Sequence, residues 1–423
     1  MSEGLTVQGV AFTELAETFG TPLYVYDSRV LTDHFTAVRG ILPEEAEVFF
    51  SLKANPNISV CAVFASAGAG AEVSSLTELH TARRAGIPPE KIIFLGPGKS
   101  FEELEACVEA GICAIVCESF GELEAIDELA RRRNTTVDVA LRVNPSFTVK
   151  GSKLTMGGRP RQFGLDEAQL LDHPDLAATY PGVRLMGVHV YMGTRILSEE
   201  VVAENTARIL ELADRIASAL GFPLEIVDIG GGLGVGYFDN ERDLDLTTLD
   251  LAPLVNRFRA AHTGTRVIME LGRYLTALAG TYMARVRYTK TSMGENFAVT
   301  DGGTHHHMAA VGIGSFVKRN FPTRLLNRAA PAPTERWQIT GPLCTPNDLL
   351  GKNVELPALR PGDLIGILRS GAYGPTASPT LFLSHGCPAE VLVHEGVPYL
   401  VRDRDRPQDL LARQHLHPAF APR

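Results

Sequence analysis

The strongest constraint on the fold of this chain is an alternation that begins near residue 45, in which a short apolar run, a loop and an amphipathic stretch follow one another repeatedly. The runs at 48–52, 92–95, 114–116, 137–143, 185–190, 224–229 and 266–270 have the length and the Val, Ile and Leu content of buried strands. Between them lie stretches such as Leu76-Thr77-Glu78-Leu79-His80-Thr81-Ala82-Arg83-Arg84-Ala85-Gly86, apolar at helical spacing and closed by a glycine that suits the residue just past a helix end. Strands alternating with helices imply parallel βαβ units. Seven or eight such units in about 230 residues predict an α/β fold of the (β/α)8 TIM-like barrel type rather than an open sheet, because unit count and length both agree with a closed barrel.

Beyond residue 276 the pattern shortens to strand-like runs at 282–288, 297–300, 364–368 and 391–393, punctuated by Pro and Gly, which predicts a second, mainly antiparallel β-domain. Thr21-Pro22-Leu23-Tyr24-Val25-Tyr26-Asp27 reads as an edge strand that joins it. The expected division is a barrel over 28–275 and a β-domain built from 1–27 and 276–423. Pro331 and Pro333 mark a surface loop, and the segment after Arg402, rich in Arg, Pro and His, reads as a loose terminus.

Composition narrows the functions such a fold could carry. A chain of 423 residues, 45% hydrophobic and 21% charged, can bury its core without disulfide or metal staples. A formal charge of −9 argues against nucleic acid, whose phosphates call for a basic field. No run approaches the ~18 apolar residues of a membrane span, and Met1-Ser2-Glu3-Gly4 has neither a basic nor an apolar leader region. A cytoplasmic protein with no membrane partner is expected. The six cysteines contain no C-x-x-C and no second pair to match Cys113 and Cys117 at zinc spacing, so they read as reduced thiols. An enzyme or a protein-binding surface remains.

Several residues sit where a barrel places chemistry. Lys53 follows Phe49-Phe50-Ser51-Leu52 directly and so lies at the C-terminal end of a strand, where desolvation would lower the pKa of its amine and prepare it to condense with an aldehyde. A lysine merely emerging at a strand end is the plainer alternative. Ile229-Gly230-Gly231-Gly232-Leu233-Gly234 follows another strand; its glycines would let backbone N–H groups approach an anion, or form a simple turn, and it carries neither a Walker lysine nor G-x-G-x-x-G. Gly193-Thr194 adds a hydroxyl for the same anion. Glu270 ends its strand, where a carboxylate can keep a pyridinium nitrogen protonated, and Arg273 could reach a phosphate; a surface ion pair is the alternative for both.

The remaining candidates lie beyond the barrel. Cys344, within Gly341-Pro342-Leu343-Cys344-Thr345-Pro346-Asn347-Asp348, is a loop thiol available for proton transfer or a small buried hydrophobe. Tyr373 is flanked by Gly371 and Gly374, which free the backbone to present a phenol; packing is the default role. His305-His306-His307 is not expected to bind a metal, because adjacent side chains of a strand diverge and no partner stands at ligand spacing. Asp301 is better placed to bind an amine.

In this order and spacing, from Thr21-Pro22-Leu23-Tyr24-Val25-Tyr26 to Pro388-Ala389-Glu390, the motifs resemble the fold-type III pyridoxal-phosphate decarboxylases, the family of diaminopimelate, ornithine and biosynthetic arginine decarboxylases, over nearly the whole chain. The resemblance implies pyridoxal 5′-phosphate as cofactor, with Lys53 bound to its aldehyde, Gly231, Gly232, Gly234, Thr194, Arg273 and Tyr373 around its phosphate, and Glu270 at its pyridine nitrogen. It implies that Cys344 reprotonates the substrate carbon after CO2 leaves, that Asp301 contacts substrate, and that Glu72 and Arg142 line the ring side of the pocket. It also implies a homodimer with shared active sites, the Cys344 loop serving the neighbour's barrel. The ring-stacking histidine of the family falls at Tyr191, an aromatic that still stacks. The aspartate that follows the cysteine in ornithine decarboxylases is Thr345 here, which disfavours a free diamine-forming substrate.

Two stretches, Val299-Thr300-Asp301-Gly302-Gly303-Thr304-His305-His306-His307-Met308-Ala309-Ala310 and Ser370-Gly371-Ala372-Tyr373-Gly374-Pro375-Thr376-Ala377-Ser378-Pro379-Thr380, resemble a narrower subgroup, which includes the butirosin-type decarboxylase of glutamyl groups on an acyl-carrier protein and the exosortase-associated decarboxylases. The expected activity is removal of the α-carboxylate of an L-amino acid, either free or tethered to an acyl-carrier protein. The basic stretch at 317–328 could meet such an acidic carrier or be a solvated loop. A free diaminopimelate- or ornithine-type decarboxylase, a racemase on the related barrel and a catalytically silent regulatory homologue are the alternatives; Lys53, Glu270 and Cys344 together speak against the last.

Overall fold

The computed structural model describes residues 5–148, 154–155, 157–311, 319–328 and 335–420. The loop at 331–333, together with Val317 and Lys318 of the basic stretch, lies outside the described residues. The chain divides into two compact units, Val30–Thr276 and Met1–Arg29 with Ala277–Arg423.

The first unit is a closed parallel barrel. Eight strands, Glu47–Ser51, Gly70–Val73, Ile92–Phe94, Ala114–Cys117, Val137–Asn144, Val183–His189, Ile226–Gly231 and Arg266–Leu271, pair in chain order. The eighth closes on the first, with Glu270 opposite Phe49. Helices return the chain between strands, and four of them start at a serine whose side chain accepts from the N–H three residues on: Ser75, Ser100, Ser119 and Ser198. Each such cap contributes about 1 kcal/mol and fixes where the loop ends and the helix begins. Gly111 and Gly221 close two of these helices in the left-handed conformation.

The barrel interior is packed rather than hollow. Phe49, Ile93, Val116, Ala140, Met186, Ile226 and Ile268 form one buried cluster contributed by seven strands. The Phe49 ring occupies the space beside Gly70, where a β-carbon would come within 2.4 Å of it. That contact explains a strand the apolar pattern does not single out: Gly70-Ala71-Glu72-Val73 has weak β-propensity but is fully buried.

The second unit is a β-domain of mainly antiparallel strands. Leu23–Asp27 is interior to its larger sheet, antiparallel to Gly280–Ser292 on one side and parallel to Ala389–His394 on the other, and so is not the edge strand expected from sequence. The reason is burial on both faces: Leu23, Tyr24, Val25 and Tyr26 are each at most 1% exposed. Their phenols are satisfied inside, Tyr24 donating to the His306 carbonyl at 2.7 Å and Tyr26 to Glu390 at 2.8 Å. A second parallel pairing joins Glu295–Thr300 to Glu335–Thr340. After Arg402 the chain carries a short exposed helix, Pro407–Leu411.

Candidate active site

The C-terminal ends of the barrel strands bring most of the expected residues together. Lys53 lies in the single helical turn Leu52–Ala54 that follows the first strand. Its Nζ is 2.9 Å from Glu72 Oε2 and 5.6 Å from the centre of the Tyr191 ring. The lysine side chain is 40% exposed, so the amine is not in the desolvated setting expected from sequence; it faces a carboxylate that is itself buried. Glu72 also accepts from the Ser74 hydroxyl at 3.1 Å. Arg142, at the end of the fifth strand, donates to Glu118 Oε1 at 2.9 Å and stacks on the Phe163 ring at 4.7 Å.

The glycine loop is shaped by what surrounds it. A β-carbon on Gly231 would sit 1.9 Å from the Glu270 carbonyl oxygen, and one on Gly232, at φ +84°, 2.2 Å from that of Gly193. No other residue type fits at either position. Gly193-Thr194, paired with Leu154–Thr155, is therefore packed directly against the loop. Two of the loop's N–H groups are spent within the protein, that of Gly230 on Asp228 Oδ1 and that of Gly234 on the Ile196 carbonyl, both at 2.8 Å. Gly234 thus contributes close approach rather than a donor. Arg273 opens the short helix after the eighth strand and donates to the Tyr237 hydroxyl at 3.1 Å, with Arg195 on the same ring at 5.4 Å.

Glu270 is 1% exposed. Its Oε2 lies 3.4 Å from His189 Nε2, while Oε1 has no hydrogen-bond partner among the described residues. Beside it stands Asp228, also 1% exposed, with one oxygen unpartnered. Two buried carboxylates this close cannot both ionise cheaply. Burial, and then the neighbouring Glu270, push Asp228 well above the ordinary aspartate range. Burial also acts on Glu270, but the His189 imidazole, Lys53 and a hydrogen bond from the Asp228 carboxyl outweigh it and hold that carboxyl below its usual range. The two carboxyls are thus pushed apart, Asp228 toward its protonated form and Glu270 toward its charged one.

His189, Asp228 and Tyr237 are site residues that the sequence reading passed over. His189 ends its strand two positions before Tyr191, which lies in the loop beyond it; Asp228 interrupts the apolar run Ile226-Val227-Asp228-Ile229. A charged or titratable residue inside a buried strand was the available signal. Among the described residues, His189, Asp228 and Glu270 also form a group whose polar atoms lie within 4.8 Å of one another, as a metal site would require.

The β-domain holds the other candidates. Cys344 is exposed, in a loop tied down by the buried Asp348, which accepts from the Thr304 N–H at 2.7 Å, the Thr304 hydroxyl at 3.0 Å and the Leu343 N–H at 2.8 Å. Thr345 caps the same loop through the Asn347 N–H. Tyr373 is half-buried at φ +55°, a strained conformation for a residue with a β-carbon. Asp301 has both oxygens engaged, by the Thr21 hydroxyl at 2.5 Å and the Arg285 N–H at 2.8 Å. The three histidines 305–307 are not splayed along a strand: all are buried, His306 between Tyr282 and the Gly386 carbonyl, His307 on Ser370 at 2.8 Å, and His305 tilted against His306 with ring centres 3.8 Å apart.

The donor set of the barrel fits pyridoxal phosphate: an amine at a strand end, an unpartnered buried carboxylate oxygen for a ring N–H, and a glycine cradle closed to any side chain. Comparison with known proteins agrees with that fit. Residues 29–277 match the family model described as pyridoxal-dependent decarboxylase, pyridoxal binding domain. The chain is 40% identical over 408 residues to the L-glutamyl-[BtrI acyl-carrier protein] decarboxylase of Niallia circulans, covering 95% of each, and 31% identical over 402 residues to the diaminopimelate decarboxylase of Aquifex aeolicus, covering 95% of this chain and 93% of that one. The crystal structure of diaminopimelate decarboxylase from M. jannaschii in co-complex with L-lysine superimposes with a TM-score of 0.88 at 27% identity, over 99% of this chain and 97% of that one.

Proposed function

The chain belongs to the pyridoxal-dependent decarboxylases, and on that footing we propose that its substrate is an L-glutamyl group carried on an acyl-carrier protein, from which it removes the α-carboxylate. The chain is a pyridoxal-phosphate-dependent carboxy-lyase. The observation that carries the substrate reading is the 40% identity to a glutamyl-carrier-protein decarboxylase over 95% of both chains, against 28–32% to the diaminopimelate decarboxylases. Thr345 after the cysteine supports it, because it offers no carboxylate to read a distal amine. The basic positions Arg319 and Arg324 suit an acidic carrier, whereas Arg328 of the same stretch is spent on the buried Asp363 at 3.0 Å.

When bound, pyridoxal phosphate supplies an electron sink for the pair left behind as CO2 departs. The residues proposed to hold it are Lys53, Tyr191, Thr194, Gly231, Gly232, Gly234, Glu270, Arg273 and Tyr373. Lys53 would bind the aldehyde carbon; its free Nζ shares a proton with Glu72 at 2.9 Å. Glu270, held below its usual range beside His189, would keep a proton on the ring nitrogen. Arg273, oriented by Tyr237, binds phosphate with the glycine loop. Arg142, Asp301 and Thr345 are proposed substrate contacts, and the Cys344 thiol carries the proton that replaces CO2 at the substrate carbon. In this reading the enzyme works as a homodimer with shared active sites.

The test is intact mass measurement of a carrier protein charged with L-glutamate. Loss of one CO2 from the carrier-bound group, dependent on Lys53, is expected; an unchanged carrier together with turnover of free diaminopimelate would transfer the substrate assignment to the diaminopimelate decarboxylases.

A further inference from the structure

We propose that His189 is a positioning residue that holds Glu270 from behind, its Nε2–H on Oε2, so that Oε1 is the oxygen left for the cofactor's ring nitrogen, with Asp228 closing the other flank. This rests on the roles of Lys53 and Glu270 proposed above. Three consecutive barrel strands deliver the three side chains to one layer: His189 stands in register with Asp228, Asp228 with Ile268, and Glu270 is two residues further along that strand. All three are at most 1% exposed, and their polar atoms lie within 4.8 Å of one another.

The unpartnered atoms define the direction in which the group works. His189 Nδ1, Asp228 Oδ2 and Glu270 Oε1 are buried and meet no N–H or hydroxyl donor among the described residues, while the Asp228 and Glu270 carboxyls hydrogen-bond to one another when one of them is protonated. A buried carboxylate with an open oxygen is strongly disfavoured unless a cation or donor meets it. The Nε2 that faces Glu270 carries the proton of that hydrogen bond. Asp228 is fixed by the Gly230 N–H on Oδ1, which couples the trio to the glycine loop. Besides these three, Lys53 acts on Glu270 and Glu72 on Asp228. Asp228 is pushed toward its protonated form and Glu270 toward its charged one, which favours the negative charge on Glu270 rather than an even share between the two carboxyls.

The experiment compares the full-length wild-type chain with His189→Leu, which fills the volume without a donor, and His189→Gln, which keeps an N–H near the place of Nε2. Each is reconstituted with pyridoxal phosphate labelled with 15N in the ring, and the ring-nitrogen signal and the dissociation constant are followed from about pH 6 to about pH 9. The wild type is expected to keep the ring nitrogen protonated throughout. His189→Leu should let it titrate within that range and bind the cofactor roughly tenfold or more weakly, the loss for a hydrogen bond to a charged group, while His189→Gln stays within about threefold of wild type.

A ring-nitrogen signal in His189→Leu that matches wild type overturns the assignment. So does a stoichiometric metal ion on the trio in the purified protein. Should His189→Leu fail to fold, imidazole 15N spectra of the wild-type apoprotein decide the matter: a His189 signal, identified by its loss in His189→Gln, with Nε2 unprotonated contradicts the proposal. Wild-type protein that takes up no cofactor, or a Lys53→Ala variant that takes it up unchanged, overturns instead the roles on which the proposal rests.

Discussion

A buried imidazole with no hydrogen-bond partner on either nitrogen costs stability, and His305 is such a residue among those described. Burial, and then the neighbouring His385, push its pKa down to about 4, against an unfolded value near 6.5. A depressed basic group contributes stability above its unfolded pKa that is lost as pH falls toward its folded one, because the unfolded chain then binds the proton more readily. His307 is shifted in the same direction, to about 3, by burial. The apoprotein should therefore lose stability as pH drops below about 6.5, by about 1.4 kcal/mol per pH unit for each such group. His305→Phe should raise Tm at neutral pH and flatten that acid slope; thermal melts at several pH values measure both. Lys53 and Glu270 were legible in sequence because each ends an apolar run. His189 and Asp228 were not, because a polar residue inside such a run reads as part of the strand until its burial is known.

Among the structural elements, the glycine loop and the Cys344 loop make opposite demands on their sequence. The first requires the absence of side chains. Gly231→Ala would bring a β-carbon to 1.9 Å from the Glu270 carbonyl, between the seventh and eighth strands, and should cost on the order of 2–3 kcal/mol together with most of the affinity for cofactor. Denaturant unfolding and cofactor titration check the two effects separately. The second requires one particular side chain. Asp348→Ala removes three hydrogen bonds that hold the Cys344 loop, and should lower kcat while leaving cofactor binding in the barrel unchanged; cofactor affinity lowered equally would contradict that division. The barrel strands were readable from their apolar runs except Gly70–Val73, where packing by Phe49 overrides propensity. Leu23–Asp27 showed as a strand, but its interior place did not, because parallel pairing with Ala389–His394 joins residues more than 360 positions apart.

Taken as a whole, the chain assigns its candidate chemistry to two compact units, the amine, the ring-nitrogen carboxylate and the glycine cradle to one, the thiol and Tyr373 to the other. The alternation of strand and helix made the first unit legible, and the family resemblance gave the second its meaning, since short strands and turns alone name no chemistry. If active sites are shared in a homodimer, refolding equal amounts of Lys53→Ala and Cys344→Ala chains should restore about a quarter of wild-type activity, as half of the dimers then hold one intact site of two. No recovery would assign thiol and lysine to the same chain. The most direct test of the central claim is CO2 release by wild-type and Lys53→Ala protein, side by side on carrier-bound L-glutamyl groups, free L-glutamate and free diaminopimelate. Lys53-dependent release from the carrier-bound glutamyl group, with kcat/KM far above either free amino acid, is the predicted result; release from free diaminopimelate at equal or greater kcat/KM, or none from the carrier, would contradict it.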